Sequence, residues 1–347
     1  MLALVMGALL SAQTQTAQTQ ETITVSRVLV DTRVTRFGGE PVLGLTAADF
    51  DVRIGGSRAV IESVEWVEER SDTPDQTGET SRDRVDEDAG DLPRDPSLRP
   101  HGRLIVFFVQ TDFSRESARI EGQMNFLPYA RELARSLSPR DRAAVFSFDS
   151  HLKFRLDFSN DAEAISEALN ETLWIDQPAP PPLVAEPSLA PRLDREQMFR
   201  AAHAEKALAL VAGALEPIPG PKTLLLLGWG LGELTPAGVQ MKWQWKEARA
   251  ALEAARVSIF SLDTTYADAH DLQVGLQTAA AQTGGFYAKT HIFPRIALQR
   301  LQRTLGGHYE LELRTTEELP AGAYALRIRV KRRGVTVLAP TSVMIRP

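Results

Sequence analysis

The sequence contains no cysteine, which excludes disulfides, thiolate metal ligands, iron-sulfur clusters and thiol nucleophiles together. Any chemistry must come from oxygen and nitrogen. The six histidines, at 101, 151, 203, 270, 291 and 308, are scattered and include no His-Glu-x-x-His pair, which argues against a zinc enzyme. No Gly-x-Ser-x-Gly segment offers a hydrolase nucleophile. Gly228, Gly230 and Gly232 follow an apolar run, but the third phosphate-loop glycine is missing, no Gly-Lys-Ser/Thr follows, and the next strand, read as 257–262, ends without an acidic ribose partner. These glycines read as flexible turns. With 39 basic and 45 acidic residues, the formal net charge is -6, so no single-sign field favours nucleic acid or an anionic membrane as partner.

No apolar run approaches the ~18 residues that a membrane-spanning helix needs. The run Leu2 to Leu10, followed by Ser11, Ala12 and a Gln/Thr-rich spacer, has the form of a secretory signal, so export to the periplasm, cell surface or medium is expected, with residues 1–20 as signal and spacer. What remains has room for more than one folded unit, and a hydrophobic fraction of 43% is ample for a core.

Residues 21–67 are β-rich, with turns at Gly38-Gly39 and Gly55-Gly56 and a short turn capped by Thr46. Residues 68–100 are crowded with acidic residues, arginine and proline and carry almost no large apolar side chain. Such a segment reads as a disordered acidic linker, because it cannot bury enough surface to offset its ordering entropy.

From 101 to 306, buried strands alternate with amphipathic helices. The runs 103–111, 143–149, 223–228 and 257–262 are continuously apolar, as in a sheet covered on both faces, whereas 152–158 alternates like a half-exposed neighbour. Between them lie a helical stripe from Ile120 to Leu137 interrupted by Pro128, and a helix opened by an Asn160 capping box with Glu163. A helix over 196–215 follows, then one opened by Thr235 and Pro236, and one closed by Gly284. Residues 176–192 are a proline-rich surface insertion. The expected architecture is an α/β, doubly wound, mostly parallel sheet. Residues 307–347 are again strand-like, and we expect them to pack with the N-terminal β segment as one small module.

Ligands of open parallel sheets bind beyond the carboxyl ends of the strands. The first buried run is followed by Thr111-Asp112-Phe113-Ser114-Arg115-Glu116-Ser117. A carboxylate and a hydroxyl two residues apart can turn toward one hard cation. Trp229, Trp243 and Trp245 cluster around a second such loop, with Trp245 on the core stripe and Trp229 and Trp243 nearer the edge.

The order of GLTAADFDV, RLIVFFVQTDFS, LSPRDRAAVFSFDSHLKFRLDFSND, TGGFYAKT and HYELEL resembles the von Willebrand factor A-type domain proteins, specifically the bacterial VWFA-related family with β-rich flanks. That resemblance implies a Rossmann-like A domain and a metal-ion-dependent adhesion site built on Asp-x-Ser-x-Ser, a Thr and a distal Asp. Asp112 and Ser114 match the first two positions, Glu116 falls on the third, Ser159 lies where the Thr is expected, and Trp229 or its glycine neighbours replace the Asp. The implied site is degenerate, with Asp112, Ser114 and Ser159 as candidate Mg2+ ligands and no other cofactor. The expected role is protein or surface-ligand binding at an edge formed by Asp112, Glu116, Trp229 and Glu233. Alternatives are a structural envelope component or an enzyme using Asp112; with no recognisable base, nucleophile or cofactor motif, we expect no enzyme.

Overall fold

A computed structural model describes residues 27–69, 102–111, 117–174, 176–316 and 319–345. Its centre is a six-stranded sheet of β5 (Leu104–Gln110), β6 (Arg142–Phe148), β7 (Leu152–Ser159), β8 (Lys222–Gly228), β11 (Val257–Asp263) and β12 (Tyr287–Lys289). Their order is β12-β11-β8-β5-β6-β7. Every pairing is parallel except that of β7 with β6. All seven residues of β5 are buried, and alternation sends Leu104, Val106 and Phe108 into one core and Ile105, Phe107 and Val109 into the other. Burial of each such side chain stabilises by ~1.5–3 kcal/mol, so β5 anchors both layers.

The first core is closed by α4 (Ala204–Leu215), α5 (Gln244–Ala254) and α6 (Gln273–Thr283), the second by α1 (Ser117–Arg135), α2 (Ala162–Glu171) and α7 (Pro294–Thr304). Pro128 does not split α1, which runs on to Arg135. The helix read over 196–215 is two, α3 (Arg195–Phe199) and α4, separated at 200–203. Thr235 and Pro236 open no helix; they sit in a hairpin of β9 (Glu233–Thr235) and β10 (Gly238–Gln240), where Thr235 Oγ1 donates to Gly238 O and accepts from Ala237 N. A hydroxyl that satisfies its own turn backbone competes with helix initiation. At α2 the cap is Asp161, which accepts from Glu163 N and Ala164 N, while the Asn160 side chain donates to Pro139 O.

Strand β7 is buried on both faces, although its sequence alternates like a half-exposed strand. Lys153, Arg155 and Asp157 are all buried. Asp157 accepts from Ser188 Oγ (2.6 Å), Leu189 N (2.9 Å) and Ala190 N (3.1 Å), and Arg155 donates to Asp176 and to Trp174 O. The charged positions thus strap the proline-rich insertion over the strand, covering a sheet edge that would otherwise be open to pairing.

The flanking strands form two four-stranded sheets around a separate apolar core that includes Val30, Phe50, Tyr309 and Leu326. One contains β15 (Thr336–Leu338), β1 (Arg27–Thr35), β13 (Gly307–Arg314) and β4 (Val60–Glu68), in that order. The other contains β16 (Ser342–Ile345), β14 (Gly322–Val330), β2 (Phe50–Ile54) and β3 (Ser57–Arg58). Pairing of β1 with β13 and of β2 with β14 interleaves strands from the two ends of the chain.

Candidate functional site

The chain lays β5, β6 and β7 toward one edge of the sheet and then returns to place β8 on the other side of β5. The crevice at the carboxyl ends of β5 and β8 is therefore the topological switch point, where ligands of such sheets sit. Here the protein's own side chains occupy it. The buried Gln110 accepts through Oε1 from Trp229 N (3.1 Å) and Gly230 N (3.2 Å). A Cβ on Gly228 would stand 2.6 Å from that oxygen, and one on Gly230 would stand 2.5 Å from Leu272 Cβ. These glycines are tight-packing residues rather than the flexible turn read from the sequence. Gly232 completes the loop, in the left-handed region and donating to the buried carboxylate of Glu205 (2.7 Å).

Above the crevice, the Arg119 guanidinium carbon lies 3.7 Å from the centre of the Trp229 ring. Trp229 is half-buried and its Nε1 has no hydrogen-bond partner among the described residues. Two of the three loops that would build the implied metal site offer no ligand. The loop after β8 supplies an indole and glycines, with a guanidinium stacked on the indole. Ser159 sits at the other end of the sheet. Strand β7 is antiparallel and pairs Ser159 with Ala143, whereas the residues after Gln110 lie beyond its partner Phe148. Five strand residues, roughly 16 Å, separate those levels, and Ser159 Oγ accepts from Asp161 N instead. Asp112, Ser114 and Glu116 lie outside the described residues. Glu233 is exposed on the β9-β10 hairpin. The described residues thus do not fit the implied Mg2+ site.

One group at this edge was missed from the sequence. Strand β11 runs one residue further than its apolar run and ends on Asp263. The buried Asp263 carboxylate accepts from Tyr287 Oη (2.6 Å) and His270 Nε2 (2.8 Å) through Oδ2, and from Thr265 N (3.0 Å) through Oδ1. Burial opposes its ionisation, but the bonds from His270 and Tyr287 outweigh it and hold the carboxyl below its usual range. Burial and the neighbouring carboxylate push the Tyr287 phenol well above its ordinary value. With these acceptor sites engaged, Asp263 ties β11, the segment before α6 and β12 together rather than meeting a ribose. An acidic residue closing an apolar run was the signal available.

The same edge carries six large exposed apolar side chains. Phe199 precedes α4, Leu234 and Trp243 lie between β8 and α5, Tyr266 follows β11, and Ile292 and Phe293 precede α7; all are exposed. Trp243 reaches 78% exposure, whereas Trp245, two residues on, is 5% exposed in the core.

The described residues also hold Asp31, His308 and Glu310 within metal-ligand spacing of one another. They lie at the opposite end of the sheet. The Arg256 guanidinium fills that space, with Nη2 2.8 Å from Glu310 and its Nε 2.9 Å from Asp31. A cation is already present there, supplied by the chain.

No protein-family model matches the chain, and no curated protein matches it. Solved structures do. The chain is similar to a von Willebrand factor type A protein from Catenulispora acidiphila, with 9% identity and a TM-score of 0.42 over 94% of this chain and 74% of that one. It is also similar to an aerotolerance-related membrane protein from Bacteroides fragilis carrying multiple mutations to serines, with 12% identity and a TM-score of 0.38 over 58% and 98%. The human COPII-coat protein Sec24c shares 11% identity with a TM-score of 0.39 over 71% of this chain and 44% of its own. This chain therefore spans less than half of the coat protein. The strand order described above is what establishes the fold.

Proposed function

We propose that this chain is an exported A-type domain protein that binds another protein or a surface ligand through the carboxyl-terminal edge of its central sheet, without catalysis. The observation that carries this reading is the apolar rim of Phe199, Leu234, Trp243, Tyr266, Ile292 and Phe293. Isolated exposed apolar residues are ordinary, but a group gathered at one edge marks an interface, and aromatic anchors dominate binding energy. The degenerate ligand set expected from the sequence suits recognition by apolar and cationic contacts, which the stacked Trp229 and Arg119 supply. An enzyme reading is weaker, because the carboxylate best placed on the described edge, Asp263, is held by three donors. The resemblance of the sequence to bacterial VWFA-related proteins and the form of residues 1–20 support export, and no described helix is long and apolar enough to cross a membrane.

Photo-crosslinking tests the edge directly. Benzoylphenylalanine placed at position 243 should capture a discrete protein from bacterial envelope extract, whereas the same group at position 37, exposed on the β module, should not. Equal labelling from both positions, or none from 243, would reject the edge as the interface and favour a structural envelope component.

A further inference from the structure

At the other end of the sheet, two strand edges line one cavity with no described strand between them. Along Arg27–Thr32, β1 pairs among the described residues with β13 alone; on its other side β15 reaches just Arg33–Thr35. After Leu338 the chain leaves that lane through Pro340 and joins β14 as β16. Strand β16 in turn pairs with no described strand on its outer side. The vacated lane is a cavity of about 600 Å3, walled by residues 27–31 and 342–345 and floored by α5 through Arg249 and Glu253.

The backbone is oriented to receive a strand. Leu326 N donates to Thr341 O (2.8 Å), which with the antiparallel register makes Tyr324-Val343 and Gly322-Ile345 the hydrogen-bonded pairs. Ser342 and Met344 therefore turn their peptide groups outward, into the lane. The lane is ~17 Å long at five residues of strand rise. Glu253 accepts from Ser342 Oγ (2.7 Å) through Oε2 and from Met344 N, shielding part of the β16 edge. Its buried Oε1 has no hydrogen-bond partner among the described residues.

We infer that this lane is a docking site for one extended segment of a partner protein, added as a strand between β1 and β16 and carrying a carboxylate side chain. A cavity of about 600 Å3 holds a few extended residues and not a second folded sheet, so a second copy of this chain is a poor occupant. The carboxylate follows from charge. Arg27 pairs with Glu62, and Arg256 with Asp31 and Glu310, whereas the half-buried Arg249 makes no ion pair within 4 Å among the described residues and acts on Glu253 only at longer range. Burial pushes the Glu253 carboxyl up, against the pull of Ser342, Arg249 and Met344. Main-chain bonds then supply affinity and Arg249 supplies selectivity.

The test uses three fluorescein-labelled peptides that alternate threonine and valine: one with a central glutamate, a twin with lysine there, and a glutamate twin N-methylated at alternate amides. Fluorescence polarisation should show binding of the first alone. Arg249→Glu and the milder Arg249→Gln, each with the wild-type melting curve, should weaken it, the former by about tenfold or more. Amide exchange at 27–31 and 342–345 should slow on binding. Equal binding of the lysine peptide, no binding of the glutamate peptide, or full protection of both strands in the chain alone would overturn the proposal. Crosslinking from position 243 reads the opposite end of the sheet, so either site can fail without the other.

Discussion

Glu69 Oε1 lies 2.7 Å from His308 Nδ1, and Asp31 Oδ1 lies 3.3 Å from the other nitrogen of the same imidazole, which is fully buried between them. Burial alone would discharge the ring; the carboxylates of Asp31 and Glu69 reverse that and raise it to about 9. Arg33 and Arg256 close the cluster on the carboxylate side, and Glu310 adds a further anion through Arg256. A raised folded-state value means the stabilisation is full below the unfolded histidine value and is lost as pH climbs through about 9. Roughly 3 kcal/mol is at stake for a rise from an ordinary 6.5 to about 9. We therefore expect the unfolding temperature to fall between pH 7 and pH 10. His308→Gln should be less stable at pH 7 and should flatten this slope, and an equally steep variant would remove His308 as its source.

Gln110 and the glycines after β8 make a second prediction. Gln110→Leu keeps the volume but orphans the amides of Trp229 and Gly230, at a cost of about 2 kcal/mol. The loop should loosen around its indole, so denaturant unfolding should shift to lower concentration and tryptophan emission should move to longer wavelength in the folded state. Unchanged emission would mean that Trp229 is held by Arg119 alone.

The parts of this fold that could be read from sequence are those whose cause is local. The run Leu104 to Val109 is apolar at every position because β5 is covered on both faces, and Gly284 announces the end of α6 because its backbone is left-handed. The direction of β7 has no local cause, since a strand carries the same residues whether it pairs parallel or antiparallel. Ser159 was therefore read at the wrong end of the sheet. Asp157 and Asp263 were missed for a related reason: their partners, Leu189 and Tyr287, lie 32 and 24 positions away. The exposed rim was legible only at Trp243, because exposure depends on the neighbours that a fold supplies.

Asp157 offers a third prediction. It is buried and engages three donors at 188–190. Asp157→Ala would strand those donors and detach the insertion from β7, at a cost of about 2–4 kcal/mol. Limited proteolysis should then cut within 176–192 well before the rest of the chain is degraded. Should cleavage stay as slow as in the wild type, the strap is held by Arg155 and its bonds to Trp174 and Asp176.

Metal dependence gives the last. A ligand that binds only the folded state stabilises it by about 2.7 kcal/mol at a hundredfold excess over its dissociation constant. Divalent cations need several oxygen ligands converging on one point. Ser159 lies five strand residues, roughly 16 Å, from the level where β5 ends, the loop after β8 offers an indole and glycines, and the guanidinium stacked 3.7 Å from that indole repels a second cation. Millimolar Mg2+ should therefore leave the unfolding temperature where chelator leaves it, and calorimetric titration should give no heat beyond dilution. If Mg2+ raised the unfolding temperature, and Asp112→Ala abolished the rise, the loop after β5 would be completing a site with ligands other than Ser159 and the loop after β8.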